Sequence, residues 1–275
     1  MNDEFLGSSG SSVPRENDVA IRRGTEEPRN RGTEALAPHQ PLTHYYSDPS
    51  QREEFVRDIF DETAPWYDWA VRFISFGSGN WYRREAVRRV GLVPGMRLLD
   101  LASGTGVVSR AAAELTGDPR AIVEMDASLG MLRSAKTPHR KVQSGAESLP
   151  LRDASFDRIT IGFALRHFAD LNAVFRECRR VLRPGGKLLI LEITAPESPV
   201  PRALLGAYMG AIVPAAIRLR TGSRRAADLY RYYWETTRDC VRPQVILDAL
   251  TEAGFAEARR DVVMGVFSEY SAARA

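Results

Sequence analysis

The segment Leu99–Gly106, LDLASGTG, brings an acidic side chain, two hydroxyls and two glycines into one short stretch. An apolar run ends there, a Gly-x-Gly turn follows, and a helical pattern begins. Glycine lets the backbone approach a ligand closely, and a helix start presents unpaired N–H groups. Ser103, Gly104, Thr105 and Gly106 therefore form a candidate ligand loop. Ser109 stands where a G-x-G-x-x-G pattern would carry its third glycine, which argues against a dinucleotide pyrophosphate. Asp100, just ahead of the turn, suits a cationic ligand such as the ammonium end of S-adenosylmethionine. Asp126 closes the next apolar run about twenty residues on, where an acid can accept both hydroxyls of a ribose. Its structural alternative is to cap the helix that ASLGML predicts. Glu124 competes for the ribose, but alternation places it one step inside the strand.

These side chains need strands and helices to hold them. RLLDLA (97–102), AIVEMD (121–126), a weaker stretch at 141–146, FDRITIGFAL (156–165) and KLLILEIT (187–194) read as strands. Helical patterns separate them: 107–115, the segment through Leu132, and 170–182 with Asp170 as N-cap. Continuous apolar strands separated by helices indicate a parallel sheet covered on both faces. RPGG, residues 183–186, reads as a turn. Before the sheet, Phe55, Val56, Ile59 and Phe60 recur at helical spacing, an aromatic segment spans 66–76, and the helix RREAVRRVG closes on Gly91. After it, residues 195–240 form an insertion with an apolar helix at 203–217 and the aromatic cluster LYRYYWETT. A helix at 243–253 and strands near 256–263 and 266–271 end the chain.

Composition bounds the function. The chain has 275 residues, 44% hydrophobic and 27% charged, the balance of an ordinary globular protein. A net charge of +3, spread along the chain, excludes a nucleic-acid reading. Residues 1–45 are polar, without apolar periodicity, and read as a disordered tail; residues 46–275 are the expected domain. No signal sequence is read at the N-terminus. Cys178 and Cys240 form no CxxC pair, so a reducing cytoplasm is expected.

DLASGTG, EMDASLGML, SGAESLPLRDASFDRI and VLRPGGKLLILE occur in the order and spacing of class I methyltransferases. From Phe60 to about Gly254 the chain resembles the ubiquinone/menaquinone biosynthesis C-methyltransferase family. FDETAPWYDWAVRFISFG looks like that family's N-terminal signature, IGFALRHFAD like its fourth-strand motif, and AADLYRYYWET like its late aromatic segment. The resemblance implies a Rossmann-like α/β fold, with a seven-stranded, mostly parallel sheet and S-adenosyl-L-methionine as co-substrate. It implies that Thr105 and Asp126 contact the cofactor, that Gly145 and Ala146 meet the adenine, and that Gly162 lies beneath the cofactor. The family usually carries Asp or Asn before that alanine. At Gly145 the adenine contact is therefore lost or supplied by Ser144 or Glu147, with the Ala146 backbone N–H still available.

Methyl transfer from a sulfonium needs alignment and exclusion of water more than covalent help. No metal is expected; His39, His44, His139 and His167 form no ligand cluster with the cysteines. In a quinol, loss of a phenolic proton makes the neighbouring ring carbon nucleophilic. Arg166 and His167 follow the fourth strand at the edge where open α/β sheets bind ligands. The resemblance gives the proton to Arg166, assisted by its neighbour and Tyr67. That neighbour is normally Asn and here is His167, a base near neutral pH. The structural alternatives are an ion pair for Arg166, a helix entry for His167 and a core position for Tyr67. C-methylation of a polyprenyl quinol, demethylmenaquinol or a ubiquinone precursor, is the expected reaction. Another small phenol, a phospholipid amine, or S-adenosylmethionine binding without catalysis are the alternatives. An NAD-linked oxidoreductase is disfavoured by the missing third glycine. The apolar insertion helix is expected either as a lid or as a peripheral membrane contact through 203–220, and a homodimer is open.

Overall fold

Side-chain alternation along the central strands sets the architecture of residues 35–275, which the computed structural model describes. Leu99 and Leu101 of β1 (Leu98–Leu101) pack into one core with Leu188 and Ile190 of β5 (Leu182–Ile193). Leu98, Leu189 and Leu191 point the other way into a second core. Successive strand residues face opposite sides, so one apolar run feeds both layers. The first layer is covered by α5 (Leu171–Val181) and α9 (Pro243–Glu252), through Phe175, Cys178, Ile246 and Leu250. The second is covered by α2 (Gly79–Arg89) and α3 (Val107–Thr116), through Ala86, Val87, Val108 and Ala112.

The remaining strands are β2 (Ile122–Asp126), β3 (Arg140–Gln143), β4 (Phe156–Gly162), β6 (Phe255–Val263) and β7 (Phe267–Arg274). The seven-stranded sheet runs β3-β2-β1-β4-β5-β7-β6. β1 to β5 are parallel; β7 lies antiparallel between β5 and β6. Chain order reverses beside β1, and ligands of open α/β sheets bind in the crevice at such a switch. The RPGG segment departs from expectation: it belongs to the start of β5, where the pairing with β4 shifts register. Gly185 has φ +75°, a left-handed conformation that glycine adopts without strain.

Over the carboxyl ends of the strands sits a helical cap. Its parts are α1 (Arg52–Ile74), α6 (Pro199–Ala207), α7 (Val213–Thr221) and α8 (Arg224–Arg238). Ile59, Ala70, Met209, Val213, Ile217, Leu229 and Tyr230 form its core. The apolar insertion helix is longer than its sequence suggests: it runs 199–221 with a π-helical turn at Tyr208–Ile212. Pro214 carries no N–H for the Gly210 carbonyl, and such a missing donor opens a helix locally. Gly206 and Gly210 face the Trp234 ring so closely that an added Cβ would lie 2.9 and 2.8 Å from it.

This helix buries one face and exposes another. Val200, Leu204 and Leu219 are 67, 68 and 90% exposed, and Phe76, stacked on Tyr208, is 83% exposed.

The tail boundary expected at residue 45 is corrected. Residues 36–46 pack on the domain: Leu171 N–H donates to Leu36 O and Val241 N–H to Pro38 O, while Leu42 and Tyr46 are buried against Tyr232. The segment's carbonyls and apolar side chains meet α5 and α8 without forming a helix or strand, so no periodicity announces it. Residues 1–34 of the expected tail lie outside the described residues.

Candidate active site

Strand ends and cap enclose a cavity of about 430 Å³. Ala102, just past β1, has φ +53°, and Phe163, just past β4, has φ +61°. Left-handed conformations at non-glycine residues each cost about 1 kcal/mol or more and concentrate at functional sites. Both residues line the cavity.

Of the residues named from the sequence, Gly104, Asp126, Gly145, Ala146, Gly162, Tyr67 and His167 line the cavity. Asp126 accepts the N–H of Gly104 at 2.7 Å on one oxygen and that of Ser128 at 2.8 Å on the other. A carboxylate has about four acceptor positions, so each oxygen keeps capacity for one ribose hydroxyl. The helix cap is instead Ser128, whose hydroxyl accepts Met131 N–H at 3.0 Å at the start of α4 (Leu129–Ser134). Glu124 is wholly buried and accepts from Thr137 at 2.8 Å and His139 at 3.0 Å. A Cβ on Gly106 would lie 2.6 Å from that carboxylate, so Gly106 shapes the turn without lining the cavity.

Asp100, Ser103, Thr105 and Arg166 are placed away from the cavity lining. The Asp100 carboxylate accepts Ser109 N–H at 3.0 Å, the Ser109 hydroxyl at 2.6 Å and the Thr160 hydroxyl at 2.8 Å. The cation-binding expectation is thereby corrected, because the group ties α3 to β4. Ser103 donates its N–H to Met125 O. The Thr105 hydroxyl donates to Asp68, and Arg110 bonds both Asp68, at 3.0 Å, and Thr105 O, at 2.7 Å. Asp68 and Asp61 were missed in the sequence. Asp61 accepts from the Ser128 hydroxyl and from Gly130 N–H at 2.8 Å. Both stand on α1, so this helix clasps the glycine loop and the turn after β2.

At the other end of the cavity stands His167. Neither ring nitrogen has a protein partner. The ring lies among Phe60, Tyr232 and Tyr233, with centroids 5.2, 5.5 and 5.3 Å away. Burial, then Arg166, Arg52 and His39, hold its pKa well below 6.5. The imidazole is neutral at physiological pH, with one nitrogen an acceptor and the other a donor. Tyr67 and Tyr233 join hydroxyls at 3.3 Å, and Tyr233 also donates to Phe163 O at 3.2 Å.

The proton-handling role expected of Arg166 is corrected. Its guanidinium is wholly buried, paired to Glu192 and 3.9 Å from the centre of the Tyr233 ring. Coulombic attraction to Glu192 raises its pKa despite the opposing effect of burial, so it stays a fixed cation and takes no proton. Arg52 adds a second cation, donating to Arg166 O at 2.9 Å and bonding His39 at 3.0 Å. Among the described residues, no group of three or more His, Cys, Asp or Glu is placed to hold a metal ion.

A mostly parallel sheet with this strand order, a glycine turn after β1 and a cavity-lining carboxylate at the end of β2 are features of a class I methyltransferase; the chain is an S-adenosylmethionine-dependent enzyme of that class. It belongs to the ubiE/COQ5 methyltransferase family, whose profile matches residues 49–273. The ubiquinone/menaquinone biosynthesis C-methyltransferase UbiE of Shewanella sp. (strain W3-18-1) is 35% identical over 214 residues, 74% of this chain and 84% of that protein. Among solved structures, a SAM-dependent methyltransferase from Thermotoga maritima aligns with a TM-score of 0.56 and 18% identity, over 80% of this chain and 99% of that one. Phosphoethanolamine N-methyltransferase 2 of Haemonchus contortus, solved with S-adenosyl-L-methionine, gives 0.56 and 18%, over 79% and 59%. At such identities these two structures show the fold.

Burial pushes the Asp126 carboxyl up to about 6, against the lowering effect of the Ser128 and Gly104 N–H groups, with nearby Asp61 adding to the rise. A ribose diol selects the ionised form, because it needs two free acceptor positions. Nucleoside binding should therefore weaken as pH falls through about 6, approaching tenfold per unit below it. Calorimetry with S-adenosylhomocysteine near pH 6, in buffers of different ionisation enthalpy, should show proton release of about half an equivalent. Unchanged affinity from pH 7.5 to 5 would remove Asp126 from the ribose site.

Proposed function

We propose that the protein C-methylates a polyprenylated quinol, demethylmenaquinol or a ubiquinone precursor, at a membrane surface. The observation that carries this is His167: a neutral imidazole on the cavity wall, both nitrogens unpaired, beside two buried arginines. The UbiE relatives, named for ubiquinone and menaquinone biosynthesis, support the substrate class.

The residues divide the work. S-adenosylmethionine supplies a methyl group already activated by its sulfonium. His167 accepts the hydrogen bond of the quinol O–H and takes its proton. The positive field of Arg166 and Arg52, which keeps the imidazole unprotonated, also stabilises the oxyanion left behind. Tyr67 donates to Tyr233, which is committed to the Phe163 carbonyl, so the Tyr67 oxygen is left as a second acceptor. As the ring carbon takes the methyl group, the methyl–sulfur bond breaks with its electron pair left on sulfur, giving S-adenosylhomocysteine. The proton on that carbon is then lost and leaves with the products, aromaticity returns, and His167 gives its proton back to the ring oxygen. The cap excludes water and fixes the approach, which supplies most of the rate.

The substrate claim is tested with purified protein, labelled S-adenosylmethionine and either demethylated quinol. Label in a quinol supports it; label only in a phospholipid amine or a soluble phenol, or none, rejects it.

The exposed apolar face of the 199–221 helix supports membrane docking. Met209, Val213 and Ile217 anchor the helix to the cap, and exposed Arg202, Arg218 and Arg220 flank it. A half-buried helix with apolar contacts and arginines on its open side suits the interface of anionic lipids. Leu204→Glu with Leu219→Glu should cut cosedimentation with phosphatidylglycerol vesicles at least tenfold while sparing S-adenosylhomocysteine affinity. Undiminished vesicle binding would exclude this face.

A further inference from the structure

Beyond the ribose carboxylate, the cavity continues to the turn after β3, where Gln143 to Glu147 line the wall. Ala127, Met131, Ala146 and Phe168 give this part apolar surfaces suited to a flat ring. An adenine ring offers a two-hydrogen donor at its exocyclic amine and an acceptor at the adjacent ring nitrogen. The wall must answer both.

Gly145 brings no side chain. A Cβ built on it meets a single neighbour, the second carboxylate oxygen of Glu147, at 3.5 Å. That oxygen occupies the space that a side chain at 145 would enter. The first oxygen of Glu147 accepts Ala169 N–H at 2.9 Å, which fixes the carboxylate. The Ser144 hydroxyl donates toward the carbonyls of Gly145, at 3.1 Å, and Ser148, at 3.4 Å. The Gln143 amide donates to Ala127 O at 3.1 Å. The Gln143 carbonyl and the Ser144 oxygen keep neutral acceptor capacity; Glu147 is the charged acceptor of this wall, and its second oxygen is the one beside the space at position 145.

We infer that Glu147 selects the base of the bound nucleoside, its free oxygen accepting the exocyclic amine of adenine in place of a side chain at position 145. The Ala146 backbone N–H, beside it on the wall, suits the neighbouring ring nitrogen. This rests on the reading of the cavity as the S-adenosylmethionine site. The anchor to Ala169 has a second consequence. Ala169 follows the turn that carries His167, so the residue holding the base also steadies the catalytic end.

The test is the ratio of affinities for S-adenosylhomocysteine and S-inosylhomocysteine, measured by calorimetry on the full chain. Hypoxanthine replaces the amine by a carbonyl and protonates the adjacent nitrogen, so it opposes a carboxylate and a backbone N–H together. A hydrogen bond to a charged group corresponds to roughly tenfold to a hundredfold in affinity, and the native chain should prefer adenine by at least tenfold. Glu147→Gln keeps an oxygen for Ala169 and can turn an NH₂ toward a carbonyl, so the preference should collapse to within about threefold. Glu147→Ala should weaken adenine binding, and adding Gly145→Asp should restore the preference, because the vacated space then holds a carboxylate. A merely structural Glu147 would change stability without changing the ratio. An unaltered ratio in Glu147→Gln overturns the inference. Failure of the native chain to bind either nucleoside overturns the reading of the site on which it rests.

Discussion

Replacing His167 by alanine is expected to lower kcat by about a hundredfold to ten-thousandfold, the range of a lost general base, with S-adenosylhomocysteine affinity within threefold of native. The expectation follows from placement. The ring lines the end of the cavity opposite Asp126, and both nitrogens are unclaimed. Because its pKa is held well below 6.5, the active, neutral form persists across the physiological range. The acid limb of kcat should thus lie below pH 6.5, measured at saturating S-adenosylmethionine to separate it from titration of Asp126. His167→Asn refines the argument: an amide oxygen can accept the quinol hydrogen bond but cannot take the proton. It should retain more activity than alanine and lose the acid limb. His167 also packs on three aromatic rings, so melting temperatures must accompany the kinetics. A folded His167→Ala with more than half the native kcat would remove the imidazole from proton transfer.

The part of the site that follows from local rules was legible in the sequence. Asp126 ends a strand and Gly104 sits in a strand-to-helix turn, so neighbours along the chain define their surroundings. Alternation also placed Glu124 inside the strand, as found. The pair Arg166 and His167 shows where such reasoning stops. Both follow β4, and both were candidates for the cavity. They lie in a tight 3-10 turn, Leu165–His167, where successive side chains point about 120° apart. Neighbours in such a turn cannot share a direction: His167 faces the cavity and Arg166 turns into the protein. The partners that fix Arg166 come from afar, Glu192 from β5 and Tyr233 from α8. Asp61 and Asp68 were hidden for a related reason. On an aromatic helix they look like ordinary solvated acids until the fold brings the turn after β2 beneath Asp61 and the glycine loop beneath Asp68.

Removing one member of the Arg166–Glu192 pair should be the largest stability change among these variants. Both side chains are buried, and Glu192 Oε1 also accepts Ile193 N–H at 2.9 Å. Glu192→Ala leaves a guanidinium buried without its counter-charge, at a cost of about 3–5 kcal/mol, or roughly 6–20 °C in Tm for a domain of this size. Arg166→Ala should be comparable, because burial already pushes the Glu192 carboxyl up against the pull of the arginine. Replacing both, Arg166→Met with Glu192→Leu, removes the charges together and keeps most of the volume, so most of the lost Tm should return. Catalysis separates the two roles of the pair. If the arginine contributes only packing, the double variant recovers kcat along with Tm. If its field stabilises the quinol oxyanion beside His167, the double variant folds well and stays at least tenfold slow, with a higher pH needed for half-maximal rate. Recovery of both quantities would reduce the pair to scaffolding and leave His167 and Arg52 to manage the proton alone.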